Sequence, residues 1–255
     1  MAAAPLPPVN VASENPQGAP LSQSERIINT FIAPSKTFTD LRRSASWWAP
    51  FLIIVVFSYL FMYVMSRQVG FEQISKNEIA RSPRRADQFD KAPPDQQAQQ
   101  LRISVAITRG ISYAIPLFIL FFYLVTAGVL SGVFNMGFSA QIPFKIFWAI
   151  VVFSGLPGII HAILGMISLF SGVDPEGFNI NNPVATNPAY FMDSGNKFLY
   201  GMASSLDIFV WWGIVLMGIG VASNSKVKRS TAIMTIGGLY LFYKLATSAL
   251  AAATS

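Results

Sequence analysis

Long apolar runs alternate with polar stretches along the chain, at residues 47–66, 103–133, 146–170, 198–222 and 231–252. A helix of about 20 apolar residues crosses the hydrocarbon core of a bilayer, and each of the five runs reaches that length. The pattern predicts an all-α fold: a polytopic membrane protein whose residues 46–252 form a five-transmembrane-helix bundle. The polar stretch at 67–102 contains Pro83 and Pro94, which are expected to divide it into short helices.

The third apolar run has features that favour a central place in the bundle. Pro157 lacks a backbone donor and is expected to kink the helix, and Gly155 and Gly158 give the helix a small-residue face. In the second run, Gly128 and Gly132 have the GxxxG spacing that lets two membrane helices approach closely. These five positions are the predicted kink and packing residues.

The chain before the first span has two parts. Residues 1–23 are rich in proline and have neither a basic start nor an apolar run, which predicts a disordered tail and not a signal peptide. Residues 24–45 predict an amphipathic segment with Ser24 as helix N-cap and an apolar face made of Ile27, Ile28, Phe31 and Ile32. Two interpretations stay open: a helix packed on its own protein, or a cytosolic interfacial helix with its basic side toward the lipid headgroups.

Composition supports the membrane class and excludes several kinds of chemistry. The chain is 53% hydrophobic and 12% charged, which is about half the charge of a soluble domain. Its net charge of +6 comes from bases that flank apolar runs, a placement that suits anionic lipid and not nucleic acid. With no cysteine and one histidine, disulfides and thiolate or multi-histidine metal sites are excluded, and no cofactor is expected.

Four ionisable side chains fall within the predicted spans: Arg109, His161, Asp207 and Lys244. A charge at the centre of a membrane helix costs about 3 kcal/mol, so these side chains are expected to face each other inside the bundle. We expect Asp207 to pair with Lys244 or Arg109, and a neutral His161 to be hydrogen-bonded nearby. Such a pair is more often a structural lock than a transport site, and Arg109 could instead lie at the membrane interface.

The density of basic residues predicts the orientation in the cell membrane. The eight-residue loop 223–230 contains Lys226, Lys228 and Arg229, whereas the 27-residue loop 171–197 contains one base, Lys197. Cytoplasmic loops carry the excess of lysine and arginine. The N-terminus is therefore expected inside the cell and the C-terminus outside.

Several short motifs occur in a fixed order: FIAPSKTF at 31–38, SGLPG at 154–158, DPE at 174–176, NINNPVATN at 179–187 and SSLDIF at 204–209. Together with the five spans they resemble the Yip family of Ypt/Rab-interacting membrane proteins, in its bacterial branch, which implies a bacterial inner-membrane protein. The resemblance implies a five-helix membrane domain with a cytosolic N-terminus. Eukaryotic members are associated with Rab GTPases, vesicle traffic and membrane shaping. The Asp-Leu-Tyr-Gly-Pro motif of those members is absent, since Arg42 and Arg43 follow Leu41. The resemblance therefore assigns no residue to a Rab-like GTPase.

Three classes of function follow. The first is a non-enzymatic membrane-organising or adaptor protein, whose partners are the lipid bilayer and a second copy or another membrane protein. The alternative is a channel or transporter for ions or small solutes that uses the four intramembrane charges. The third is an intramembrane enzyme with Ser139 and His161 as nucleophile and base, but these residues fall toward opposite membrane faces, so catalysis is not expected.

Overall fold

The computed structural model describes residues 19–253, and every regular element in that part of the chain is a helix. Residues 1–18, most of the predicted disordered tail, lie outside the described residues, as do residues 254–255. The α-helices are α1 Gln23–Ile32, α2 Pro34–Asp40, α3 Trp48–Gln68, α4 Phe71–Ala80, α5 Pro83–Asp90, α6 Pro94–Gly132, α7 Phe144–Ser154, α8 Pro157–Phe170, α9 Lys197–Ser204, α10 Ile208–Asn224 and α11 Arg229–Ala253. A π-helical turn, Val133–Gly137, extends α6, and a 3₁₀ turn, Pro188–Phe191, lies in the long loop before α9.

Four stretches are long and apolar enough to cross a membrane: α3, α6 with its π turn, α7 with α8, and α11. The bent pair α9 and α10 makes a fifth if it is counted as one span. The all-α polytopic fold is therefore confirmed. Successive spans alternate in direction, so α3, α7 and α11 begin at one face of the bundle, which we call the near face. The opposite face, where α4, α5 and the loop 171–196 lie, is the far face.

The third span, α7 with α8, is the most buried of the four spans other than the bent pair, with 50% of its most apolar stretch inside the protein. Every residue from Ile146 to Ser154 is buried, because α7 packs against α6, α10, α3 and α1. The helix is interrupted where a kink was predicted: α7 ends at Ser154 and α8 begins at Pro157. Proline suits that first helical position because its missing N–H would have no intrahelical partner there.

Close helix approaches use some of the predicted glycines and not others. A Cβ built on Gly155, the C-cap of α7, would lie 2.7 Å from the ring of Tyr123 on α6, so α6 and the end of α7 meet where only hydrogen fits. Around Gly158, Gly128 and Gly132 no atom in the described part of the chain lies within 4 Å of an added Cβ. The GxxxG spacing of the second run is therefore not used for packing within residues 19–253.

The second span differs from its prediction at the far face. The apolar run begins at residue 103, but α6 begins at Pro94 and has 39 residues, about 58 Å at a rise of about 1.5 Å per residue. The hydrocarbon core is about 30 Å thick, so the first part of α6 extends beyond it. Glutamine, alanine and arginine are good helix formers in water, so the helix can begin before the apolar run does.

Candidate functional site

The N-terminal helices α1 and α2 form a helical hairpin at the near face. Ser22 caps α1 with a capping box, in which the Ser22 hydroxyl accepts from the Glu25 N–H and the Glu25 carboxylate accepts from the Ser22 N–H. The Ser22 N–H and the Ser22 hydroxyl both donate to Glu25 Oε2, at 2.7 and 2.8 Å, and these two bonds lower the pKa of the exposed Glu25 carboxyl. The prediction of Ser24 as the N-cap is wrong by two residues. A capping box needs glutamate at the third helical position, and Ser22 has that spacing to Glu25. Pro34 starts α2 after Ala33.

A buried ion pair joins the two helices of the hairpin. Arg26 Nη2 lies 2.7 Å from Asp40 Oδ2, Arg26 Nε donates to the same oxygen at 2.8 Å, and the two side chains are 3% and 5% exposed. Arg26 Nη1 also donates to the Ser44 carbonyl at 3.0 Å. The Arg26 carbonyl accepts from the hydroxyls of Thr30 and Thr37. The several donors of the Arg26 guanidinium thus hold α1 against α2.

The hairpin packs on the near half of α10. A Cβ built on Gly220 would lie 3.2 Å from Phe38 Cδ1, so the fully buried Phe38 ring rests directly on that glycine. The Phe38 carbonyl accepts from Asn224 Nδ2 at 2.9 Å. Farther along, the rings of Phe31 and Trp212 meet edge to face at 5.8 Å. Trp212 lies 12 residues before the end of α10 at Asn224, about 18 Å along its axis. The tip of the hairpin therefore reaches well below the near end of the bundle.

The outer side of α1 is apolar and not covered by the protein. Ile28 and Ile32 are 57% and 75% exposed, one turn apart on the same face of the helix. One side of the segment therefore packs on the bundle, while the other side exposes these two isoleucines, and the interfacial location of the helix stays a prediction. The basic residues Arg42 and Arg229 lie at the near end, where they hydrogen-bond to the Ser223 carbonyl and to Ser35 Oγ.

The predicted ion pair of Asp207 is not formed. Asp207 Oδ1 instead accepts from the backbone N–H groups of Phe209 and Val210, at 2.9 and 3.2 Å, so the residue is the N-cap of α10. Its other oxygen accepts from the Thr186 hydroxyl and from Asn187 Nδ2. Among residues 19–253 no base pairs with it. The prediction assumed a continuous fourth span, but the helix breaks at residues 205–207 and bends by 51°, because Asp207 begins a new helix there.

Among residues 19–253, none of the other three ionisable residues forms a hydrogen bond or an ion pair with Asp207. Lys244 Nζ donates to Ser204 Oγ at 3.1 Å. The Arg109 guanidinium lies over the ring of Phe71 on α4, 5.4 Å from its centre. Arg109 is 23 residues from the near end of α6 at Gly132, a distance along the helix axis that places it at the far interface. The His161 ring packs edge to face on Phe209 at 5.5 Å, with no hydrogen-bond partner in the described part of the chain. The four residues of the predicted polar cluster are therefore not joined to one another by hydrogen bonds or ion pairs within residues 19–253.

A polar framework at the far face was missed by the sequence interpretation. Asn77 of α4, 6% exposed, donates to the carbonyls of Pro175 and Phe178 at 2.7 and 3.0 Å. Thr186 holds the other end of the loop 171–196, because its hydroxyl donates to Asp207 and its carbonyl accepts from the Ile208 N–H at 3.2 Å. The loop is therefore fixed to both α4 and α10. The signal available in the sequence was the high asparagine content of this loop, because asparagine side chains form such local turns and hydrogen bonds.

Replacing Asp207 with alanine is expected to destabilise this framework by about 1–2 kcal/mol, because α10 loses its N-cap and Thr186 loses its acceptor. Hydrogen exchange should then become faster at the amides of residues 184–190 and 208–211. Asp207→Asn keeps a capping oxygen and should change exchange little. Asp193→Ala, at an exposed loop carboxylate that accepts from the Gly195 N–H, is the control, and equal effects of the two alanine variants would contradict this role.

The comparisons with known proteins agree with the fold. A family profile described as the Yip1 domain matches residues 28–250, which includes most of the hairpin, all five spans and the far-face loop. No curated protein and no solved structure matches the chain. Because the match covers nearly the whole described chain, the protein is an integral membrane protein that belongs to the Yip1-domain family.

Proposed function

We propose that this protein organises the membrane without catalysing a reaction, by inserting the α1–α2 hairpin into one leaflet of the bilayer. The observation that carries this proposal is the two-sided hairpin: one side is locked on the bundle through Phe38, and the other exposes Ile28 and Ile32. Each isoleucine would gain about 1–2 kcal/mol when its exposed side moves from water into hydrocarbon. The gain favours insertion at the near face.

Insertion on one side has a mechanical consequence. The hairpin increases the cross-sectional area that the protein occupies in the leaflet at the near face, and it leaves that area unchanged in the other leaflet. A leaflet that contains more inserted volume than its partner expands, and the bilayer bends toward the opposite side. The buried Arg26–Asp40 pair would keep the two short helices together as one rigid wedge.

The near face is proposed to be the cytoplasmic one. The basic residues at this face flank the spans in short loops and in the hairpin, as at Lys145, Lys226 and Lys228. A periplasm-active reporter such as alkaline phosphatase, fused after Ser255, should be active, whereas green fluorescent protein at the same place should be dark. The reverse result would place the hairpin outside the cell.

The transport alternative has lost the observation that favoured it. It depended on charges paired in the middle of the membrane, but Asp207 caps α10 and Lys244 donates to Ser204. Both lie about 22–25 Å from the near ends of their helices, which is close to the far boundary of a 30 Å core.

The wedge is tested with the full-length protein reconstituted in vesicles, whose diameters are measured by electron cryomicroscopy. The wild-type protein should narrow the vesicles or draw tubules from them. Ile28→Glu combined with Ile32→Glu should reduce the share of highly curved vesicles roughly threefold or more, because two carboxylates oppose insertion of the hairpin.

The control is Phe191→Glu, which places a carboxylate at a side chain 80% exposed on the far face. This variant should remodel vesicles as the wild type does. Equal remodelling by the wild type and the Ile28/Ile32 double variant would overturn the proposal, and so would wild-type vesicles no more curved than empty ones.

A further inference from the structure

A cavity of about 340 Å³ opens at the far face between α4, α9, α11 and the loop 171–196. Three cationic side chains line it: Arg81 at the C-cap of α4, Lys197 from α9 and Lys244 from α11. The described lining residues include one carboxylate, Glu78. The cavity therefore has an excess of two positive charges, which favours an anionic ligand.

The cations are held in place through contacts that leave most of their donors unused. Lys197 Nζ donates to the Arg81 carbonyl at 2.7 Å, and Lys244 Nζ donates to Ser204 Oγ at 3.1 Å. An ammonium group has three N–H donors, so each lysine keeps two that have no acceptor among residues 19–253. Both lysines are thus positioned by one neutral oxygen and are not neutralised by a carboxylate.

Neutral donors complete the same wall. The Tyr200 hydroxyl accepts from Asn179 Nδ2 at 2.8 Å, which leaves its own hydrogen to be donated. The Glu78 carboxylate is engaged on its side of the cavity, since Asn181 Nδ2 lies 3.3 Å from both its oxygens and Arg81 Nη1 lies at 3.5 Å. The unused donors of Lys197, Lys244 and Tyr200 suit an acceptor with several oxygens and a negative charge, which describes a phosphate group.

The cavity lies at the membrane boundary. Lys244 is 15 residues after the start of α11 at Arg229, about 22 Å along a helix that crosses a core of about 30 Å. On the same helix, Phe242 and Leu245 are exposed apolar side chains, 72% and 47%, that face lipid at the depth of Lys244. A phosphate in the cavity would therefore have acyl chains beside it.

We propose that this cavity, which we call the far-face pocket, binds the phosphate of an anionic phospholipid, with the acyl chains along α11. Lys197 and Lys244 supply the charge, and Tyr200 supplies a neutral donor. The excess of positive charge favours phosphatidylglycerol over a zwitterionic lipid such as phosphatidylcholine, whose choline cation would meet Lys197 and Arg81. This binding is independent of the hairpin at the near face.

The test measures binding of dioctanoyl phosphatidylglycerol to the purified full-length protein in neutral detergent by native mass spectrometry. Dioctanoyl phosphatidylcholine and inorganic phosphate are the comparison ligands. The wild type should bind phosphatidylglycerol about tenfold or more tightly than phosphatidylcholine. Lys197→Gln combined with Lys244→Gln should lose about tenfold or more of that affinity.

The charge-matched control is Arg84→Gln on the exposed helix α5 combined with Lys91→Gln at its C-cap, on the same face, and it should bind like the wild type. Lys244→Arg keeps the charge and should keep lipid preference even if the glutamine variants fold poorly. Equal affinity for the two lipids, or an unchanged Lys197/Lys244 variant, would overturn the proposal. Inorganic phosphate that binds as tightly as phosphatidylglycerol would show a free-phosphate site and contradict the lipid assignment.

The two proposals fail separately. The Ile28/Ile32 variant should bind phosphatidylglycerol as the wild type does, whereas the Lys197/Lys244 variant should still remodel vesicles. A headgroup preference that disappears in the hairpin variant would contradict the far-face location.

Discussion

Arg26→Met should lower the free energy of unfolding by about 3–5 kcal/mol, the largest effect of a single substitution that we expect in this protein. The methionine has a similar volume but no charge, so Asp40, 5% exposed, would be left as a buried carboxylate without its main partner. Arg43 Nε lies 3.9 Å from Asp40 Oδ1 and gives only weak support. The measurement is reversible unfolding of the purified protein by dodecyl sulfate titration in mixed micelles.

Two matched variants separate the loss of a buried pair from the loss of any ion pair. Lys91→Met removes the pair between Lys91 and Asp87, whose side chains are 75% and 62% exposed, and should change stability by about 0–1 kcal/mol. Arg26→Met combined with Asp40→Leu removes both buried charges and should recover much of the loss. Equal effects of Arg26→Met and Lys91→Met would show that the hairpin does not depend on the buried pair.

Gly218→Ala is expected to destabilise the bundle by about 1–3 kcal/mol, because the two helices with the most extensive mutual contact, α10 and α11, meet at this glycine. An added Cβ would lie 2.9 Å from the backbone nitrogen of Ile233 and 3.0 Å from its Cα. Backbone atoms cannot rotate away as a side chain can, so the helices must separate. The same dodecyl sulfate titration measures the loss.

Gly238→Ala is the matched control for this substitution. Gly238 lies within α11, and no described atom is within 4 Å of a Cβ built there. Alanine is the better helix former by about 1 kcal/mol, so this variant should be as stable as the wild type or more so. If Gly218→Ala is as well tolerated as Gly238→Ala, the close contact of α10 and α11 does not limit stability.

The spans could be predicted from sequence because insertion into a bilayer depends on the composition of about 20 consecutive residues, which a sequence shows directly. The break in the fourth span was missed although its local signal was present. Asp207 stands directly before a run of apolar helix formers, as an N-cap does, but the apolar residues on both sides hid the boundary. Because the break was missed, both the depth of Asp207 in the membrane and its bonding partners were inferred incorrectly.

The contacts that build the two faces could not be predicted for a different reason. Arg26 reads as one more base on the polar side of an amphipathic helix. Pro34 marks where that helix ends, but nothing local shows that the turn at Ala33 brings Asp40 against Arg26. Asn77 and the carbonyl of Phe178 are separated by 101 residues. Pairings over such distances depend on how whole helices pack, which the order of apolar and polar residues does not encode.

The docking of the first helices on the fourth span also sets an order of events at the ribosome. Phe38 accepts its hydrogen bond from Asn224, 186 residues later in the chain. At a synthesis rate of about 5–20 residues per second, about 10–40 s pass between the synthesis of Phe38 and the synthesis of Asn224. During that interval α10 is not yet available to cover Phe38. A nascent chain arrested before residue 208 should therefore expose Phe38 to hydrophobic crosslinkers or chaperones, and one released after residue 230 should protect it.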